Sequence, residues 1–503
     1  IMLLIFLATL YMYEKGAFAY PYLEDDDSWS HAMAVKYVSI EKTVFQQGSV
    51  GFHYMDPYPP AYDMLFGILH QTNNSVYWTL KFFNALIISL SIIFFYFFVK
   101  EFIGNKNKAL FATFALAAVP AFLSHFIWAL ALTVPLYFVS FYCTERIKHD
   151  KKWFIPAAIV IAATLTSSPT HSTYFGLFFV LYYLAKVILE KKVLLYHALA
   201  GFLGLSLSFI VWWVPMFFKY GFRGTLLGLG LRPDSSLIAV GGTADRVYTM
   251  SDFIWTKTTN MINNPVGIGV FLSILTVIAL IFILLRLKDL FKKENHWLGI
   301  TLAWFILTFY AVNAVNMPIK ISPFRAWMLL VIPVSILAAE GTFFLMNSLK
   351  KFGIGKAIVL SLIIIGVLST SAYQKYTVNT AQWPPGAFWT SNEEIVGYLW
   401  IKDNLPLDTK VFTFVNDAPI IAYDKFTCHW CEDIHDFQKT GFNESAEKTY
   451  NWLKSKNYDY IVVDGQTSRK FGANETNNKV QSFINSNQFR PVFNNNGFIL
   501  FEV

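Results

Sequence analysis

Runs of about 15 to 24 apolar residues recur along the first three-quarters of this chain, and they constrain its fold more than any other feature. Examples are IISLSIIFFYFFV at 87–99 and GVFLSILTVIALIFILL at 269–285. As helix, about 20 such residues cross the roughly 30 Å of a bilayer's hydrocarbon. Membrane strands would alternate polar with apolar residues, and these runs do not. Of the whole sequence, 55% is hydrophobic and only 15% charged, which excludes an ordinary soluble domain. The expectation is a polytopic α-helical membrane protein.

Charge sets the expected orientation. About eleven spans are predicted, near 1–13, 84–100, 109–123, 126–143, 153–168, 172–189, 195–218, 265–286, 297–316, 325–347 and 356–373. Every second connection is basic: Lys100 to Lys108, Arg146 to Lys152, Lys191–Lys192, Arg286 to Lys293 and Lys350 to Lys356. The positive-inside rule assigns these to the cytoplasm. The other connections then face out, including 14–83, 219–264 and everything after 374. The glycosylation patterns at Asn73, Asn443 and Asn474 all fall on that side. The net charge of +7 is carried by cytoplasmic-loop lysines and does not indicate nucleic-acid binding.

Two domains follow: a membrane domain over 1–373 with outer loops 14–83 and 219–264, and a soluble extracytoplasmic α/β domain over 374–503. In the tail, Ser391-Asn-Glu-Glu394 is a capping box opening a helix. Val411–Val415 and Tyr460–Val463 read as strands, and Ser445–Lys456 and Lys479–Asn487 as helices. A hairpin is expected around the Asn-Asn-Asn-Gly turn before Phe498, and Gln374–Thr390 reads as a linker. Cys428 and Cys431 are a CxxC pair on the outer side. A disulfide, two free thiols, or a metal knuckle with His429, Glu432, Asp433 and His435 all remain open.

Chemistry is expected in the outer loops. After the first span comes YLEDDDSWSHAMAVKYV (22–38), with acids from Glu24 to Asp27. An acidic turn capping a helix explains them structurally, but Asp27 and His31 are four apart and share a helix face. That face suits a cation or a carboxylate base. DPYPPAYDMLFGIL (56–69) reads as a rigid entry into an amphipathic surface helix. Ser167-Ser-Pro-Thr-His171 places His171 at a membrane boundary. The loop 219–264, with Asp245 and Arg246, suits a flap or a connector. Tyr58, Tyr62, Trp29 and Trp327 are expected in the interfacial aromatic belt.

Together the first-loop acids, the Asp-x-aromatic-x-His helix and Tyr-Pro-Pro resemble the GT-C superfamily of membrane glycosyltransferases. Within it the chain is most similar to the oligosaccharyltransferase catalytic subunit of archaeal type. The resemblance extends to SPFRAWMLLVIPVSILAAEG (322–341) and YLWIKDNLPLDTKVFTFVNDAP (398–419). It implies a GT-C-like fold and a polyprenyl-phosphate or polyprenyl-diphosphate sugar donor. It implies catalytic roles for Asp27, with Asp25 and His31 beside it, and places Arg325 on the donor phosphate. Guanidinium suits that task through its permanent charge and bidentate geometry; the structural alternative for Arg325 is interfacial anchoring.

Two departures stand out. The turn PAFLSHFIWAL (120–130) has no carboxylate where the family carries its second acidic motif, and holds only His125. The family's Trp-Trp-Asp-Tyr-Gly acceptor-reading motif is absent. Two mechanisms stay open: a divalent cation (Mn or Mg) held by Asp25 or Asp27 with His125, or a metal-free carboxylate base. The expected activity is transfer of a sugar from a polyprenyl carrier to an acceptor, protein or glycan, on the outer membrane face. Its rivals are a catalytically silent GT-C-like subunit of a membrane complex and a transporter. Scarce intramembrane charge argues against the transporter.

Overall fold

The computed structural model describes the chain except residues 20, 24–25, 46–53, 230–245, 259–264, 319–322, 351–354, 383–389, 408 and 429–430, and the side chains of 26 and 257–258. Two compact units emerge. One comprises Ile1–Ala19, Asp56–Tyr62 and Asn84–Gln382; the other comprises Tyr20–Met55, Asp63–Phe83 and Trp383–Val503.

Helices dominate. In chain order they are α1 (Met2–Ala17), α2 (Asp26–Glu41), α3 (Ala61–His70), α4 (Val76–Ile103), α5 (Lys106–Ala118) and α6 (Leu130–Arg146). Then come α7 (Phe154–Leu165), α8 (Pro169–Glu190), α9 (Leu195–Ser208), α10 (Val214–Gly228) and α11 (Met250–Ile254). After them follow α12 (Val270–Leu285), α13 (His296–Val312), α14 (Pro323–Lys350), α15 (Lys356–Val367) and α16 (Tyr373–Thr380). Each of the eleven apolar segments of the sequence falls mainly on helix, nine on a single helix and two, 195–218 and 356–373, on helices joined in pairs by a π turn. Among the described residues, six helices are long and apolar enough to cross a membrane: Val76–Ile103, Pro169–Glu190, Leu195–Gly228, Lys293–Val312, Pro323–Lys350 and Lys356–Thr380. Large apolar side chains such as Phe218 and Leu362 lie exposed on these helices, the surface of an integral membrane protein.

Within the first unit α14 is the buried post, packed against α5, α12 and α13. At Gly341 a Cβ would lie 2.1 Å from the Leu275 carbonyl oxygen, so only glycine permits this α12–α14 approach. Helix is longer than expected in two places. A π-helical turn at Phe209–Trp213 joins α9 to α10, and helix continues to Gly228, where a loop was expected from 219. Gly221 takes the kink at φ 68°. A second π turn joins α15 to α16, so the expected linker is helical up to Thr380.

The second unit holds α2, α3 and the tail helices α17 (Asn392–Asn404), α18 (Ala418–Ala422), α19 (Glu432–Thr440), α20 (Ala446–Ser455), α21 (Gly465–Phe471) and α22 (Ala473–Asn485). A two-stranded ribbon, β1 (Lys257–Thr258) with β2 (Pro265–Val266), belongs to the first unit. The tail sheet, ordered β3-β4-β6-β5, comprises β3 (Val411–Thr413), β4 (Tyr460–Asp464), β5 (Arg490–Asn495) and β6 (Phe498–Glu502). Only β3 and β4 run parallel. Phe412, Phe414, Ile461, Phe483 and Phe501 fill its core. The capping box forms as read, with Ser391 Oγ accepting from Glu394 N. Helix α22 starts earlier than expected because Gly472, at φ 96°, breaks α21 from it. First-loop residues pack on the tail inside this unit. Trp29 meets Tyr423 edge-on at 5.7 Å, Lys36 pairs with Asp424, and Tyr423 lies beside Tyr77.

Candidate functional site

Helix α2 opens at Asp26, and Asp27 stands exposed in its first turn, where the helix dipole favours a carboxylate. Glu24 and Asp25 lie outside the described residues. One turn on, His31 is buried, and its Nδ1 is 2.7 Å from Asp63 Oδ1 on α3. Tyr54 OH donates to the other Asp63 oxygen at 2.9 Å. Burial pulls the His31 pKa down, but Asp63 outweighs it and Asp27 adds to the same side, so the imidazole titrates above its ordinary value. The pair fixes the ring's orientation and tautomer. Sequence reasoning did not single out Asp63. Its signal was an acid on the buried face of an amphipathic helix.

His125 lies in the first unit, in the turn between α5 and α6. The turn is buried throughout 119–129. Its carbonyls are taken by side-chain donors: Lys375 Nζ to Phe122 O at 3.0 Å, Tyr13 OH to Leu123 O at 3.1 Å, and Asn84 Nδ2 to His125 O and Phe126 O at 3.1 and 3.0 Å. Tyr62 OH holds Asn84 in turn at 3.0 Å. A cation needs oxygen or imidazole ligands, and those carbonyl oxygens already have partners. Among the described residues no three His, Cys, Asp or Glu side chains gather into a metal-ligand set.

Arg325 is the third residue of α14 and is half-buried. Its Nη1 donates to Thr170 Oγ1, at the start of α8, at 3.3 Å. Among the described residues no carboxylate lies within 4.0 Å of this guanidinium. His171 beside it is buried, with Nδ1 3.5 Å from Ser168 Oγ. Its carbonyl accepts from Tyr137 OH, and among the described residues its Nε2 has no hydrogen-bond partner.

Arg246, also a sequence candidate, differs. It is bidentate to Asp252, at 3.1 and 2.7 Å, and Thr249 completes the cap of α11. The Arg246 hydrogen bonds hold the Asp252 carboxyl below the usual carboxylate range. Arg246 therefore anchors α11, whose Phe253 packs on Trp327 at 4.6 Å, with Tyr248 at 5.3 Å from the same ring. Asp245 lies outside the described residues. Trp29, Tyr62 and Trp327 are fully buried and not part of an interfacial belt, because each packs on aromatic neighbours or hydrogen-bonds inside its unit. Cys428 and Cys431 are joined as a disulfide with Cα atoms 5.5 Å apart. Nearby Asp433 pairs with Lys456 at 2.5 Å.

The bundle of apolar helices around a buried post has a fold shared with solved GT-C structures. The chain is similar to ArnT from Cupriavidus metallidurans in its crystal structure bound to undecaprenyl phosphate. The TM-score is 0.58 with 12% identity, over 99% of this chain and 97% of that one. It is also similar to the Archaeoglobus fulgidus oligosaccharyltransferase in the apo form, with a TM-score of 0.54 and 13% identity over 93% of this chain and 70% of that one. Both are GT-C glycosyltransferases. No family model and no curated protein matches the sequence. At such identity the likeness is one of fold.

Proposed function

We propose that this chain is a glycosyltransferase that moves a sugar from a polyprenyl-phosphate or polyprenyl-diphosphate carrier to an acceptor on the outer membrane face. The observation that carries the reading is Arg325. A half-buried guanidinium at the head of an apolar helix, with one hydroxyl partner and no carboxylate among the described residues, suits a phosphate at the membrane edge. The fold shared with ArnT, solved with undecaprenyl phosphate, supports the same donor class. In this reading Arg325 holds the departing phosphate and stabilises the charge growing on it as the glycosidic C–O bond breaks. Asp27 takes the proton of the attacking acceptor group, and direct displacement inverts the anomeric centre.

The carboxylate-free, donor-pinned turn at His125 favours a metal-free base over a divalent cation. The test is transfer from a polyprenyl-linked donor by purified protein. Arg325→Ala and Asp27→Asn should each lose more than about a hundredfold in rate, and chelator should leave the wild type unaffected. Chelator inhibition reversed by manganese would instead assign Asp27 to a metal. Full activity in both variants would remove Arg325 and Asp27 from the site, and no transfer by the wild type would leave a silent subunit of a membrane complex, the reading that the missing acidic motif favours.

A further inference from the structure

Two long helices begin at the same place. Thr170 is the second residue of α8, Arg325 the third of α14, both helices open with proline, and the Arg325–Thr170 hydrogen bond joins them. Each N-terminus carries roughly half a positive charge from its aligned peptide dipoles. At α8 no carboxylate among the described residues is paired with it, and its first turn holds no acidic residue. Ser168, the N-cap, is extended (φ −154°, ψ 134°), and its side chain makes no capping bond. The Arg325 guanidinium adds a full charge. His171, in the same first turn, is 1% exposed, and its Nε2 has no hydrogen-bond partner among the described residues. With Ser168 Oγ as the hydrogen donor to Nδ1, the ring hydrogen sits on Nε2. Positive ends, a guanidinium and a buried imidazole converging with no carboxylate among the described residues, in low dielectric, are costly unless an anion completes them. Alongside, a cavity of about 320 Å³ starts at the same helix end, lined by Pro169, Ser172, Thr173, Phe209, Trp213 and Phe217.

We infer that the first turn of α8 and Arg325 form one phosphoryl-binding site, with His171 as its buried hydrogen-bond donor, and that the adjoining cavity takes the first part of the apolar chain attached to the phosphoryl group. The inference rests on the donor reading above and assigns residues to it beyond Arg325. Phosphate at a helix N-terminus accepts main-chain N–H bonds that need no side chain. At α8 these come from Thr170 and His171, because Pro169 has no N–H.

Binding of undecaprenyl phosphate and of inorganic phosphate to the full chain in nanodiscs tests this, with thermal unfolding in the same nanodiscs as a check on folding. Thr170→Pro deletes one N–H from a first turn that tolerates proline, while Thr170→Val deletes only the hydroxyl. His171→Leu deletes the imidazole donor, while His171→Gln keeps an N–H. Thr170→Pro and His171→Leu should each weaken undecaprenyl phosphate about tenfold. Thr170→Val should weaken it less, and His171→Gln should stay near wild type. Wild-type affinity in Thr170→Pro and His171→Leu, with Arg325→Ala defective, overturns this site and leaves the donor reading standing. Wild-type affinity in Arg325→Ala overturns both. Equal affinity for inorganic phosphate and the lipid removes the cavity from the assignment and overturns it as a lipid-phosphate site.

Discussion

The two ends of α8 treat charge in opposite ways. Toward its C-terminal end, Lys186 is buried but matched: its Nζ is 2.8 Å from Glu145 Oε1, Tyr182 OH donates to the same oxygen at 2.7 Å, and Lys148 stands 3.4 Å from the other. At its N-terminal end, Thr170 and His171 face Arg325 with no carboxylate among the described residues. One sequence, one helix and one bundle thus contain a solved electrostatic problem and an open one. A closed polar cluster is a structural element. An open one in the same setting is where a ligand's charge belongs.

The largest effect should come from breaking the closed end. Lys186→Met leaves Glu145 buried without its main counter-charge and should cost about 3–5 kcal/mol, measured as a fall in unfolding temperature in detergent. Adding Glu145→Gln should recover much of it. A single variant as stable as wild type would show that pairing has no weight here, and the contrast along α8 would lose its meaning.

Next comes the matched pair of the second unit. Asp63→Asn should cost about 1.5–3 kcal/mol and change the pH dependence of hydrogen exchange in α2. Because Asp63 outweighs burial and raises the His31 pKa, the contribution of that proton is complete below about pH 6.5 and fades as pH rises through the raised value. The variant should lose this slope. An unchanged slope would mean that His31 is not the titrating group. The smallest effect sharpens the scale: Lys448→Ala, breaking an exposed i,i+4 pair with Glu444, should cost no more than about 0.5 kcal/mol.

Much of the fold was legible because its signals are local. Apolar runs fell on helices, the Ser391 capping box formed, and Asn-Asn-Asn-Gly turned β5 into β6. What escaped was non-local. His31 and Asp63 are paired across 32 positions, and no periodicity reveals that contact. Thr170 and Arg325 are 155 apart. Of the resemblance-based residues, Arg325 is half-buried and bonded to Thr170, and Asp27 stands exposed. Arg246 was read as a loop charge of open role and is an anchor for α11, because its partner Asp252 becomes adjacent only when the capping turn forms. Glu394 was visible as a cap, but not its rise to about 7. That follows from burial and from Asp464, which β4 brings beside it in the folded sheet.

The three cysteines have an experimental consequence. Cys143 is buried and Cys428 is oxidised onto Cys431, so a membrane-impermeant maleimide meets no accessible thiol on the native protein. The wild-type chain is therefore its own unreactive background. Single cysteines placed at Lys106, Lys151 or Lys439 can report which face of the bilayer each connection occupies, without stripping any native residue or reducing the tail.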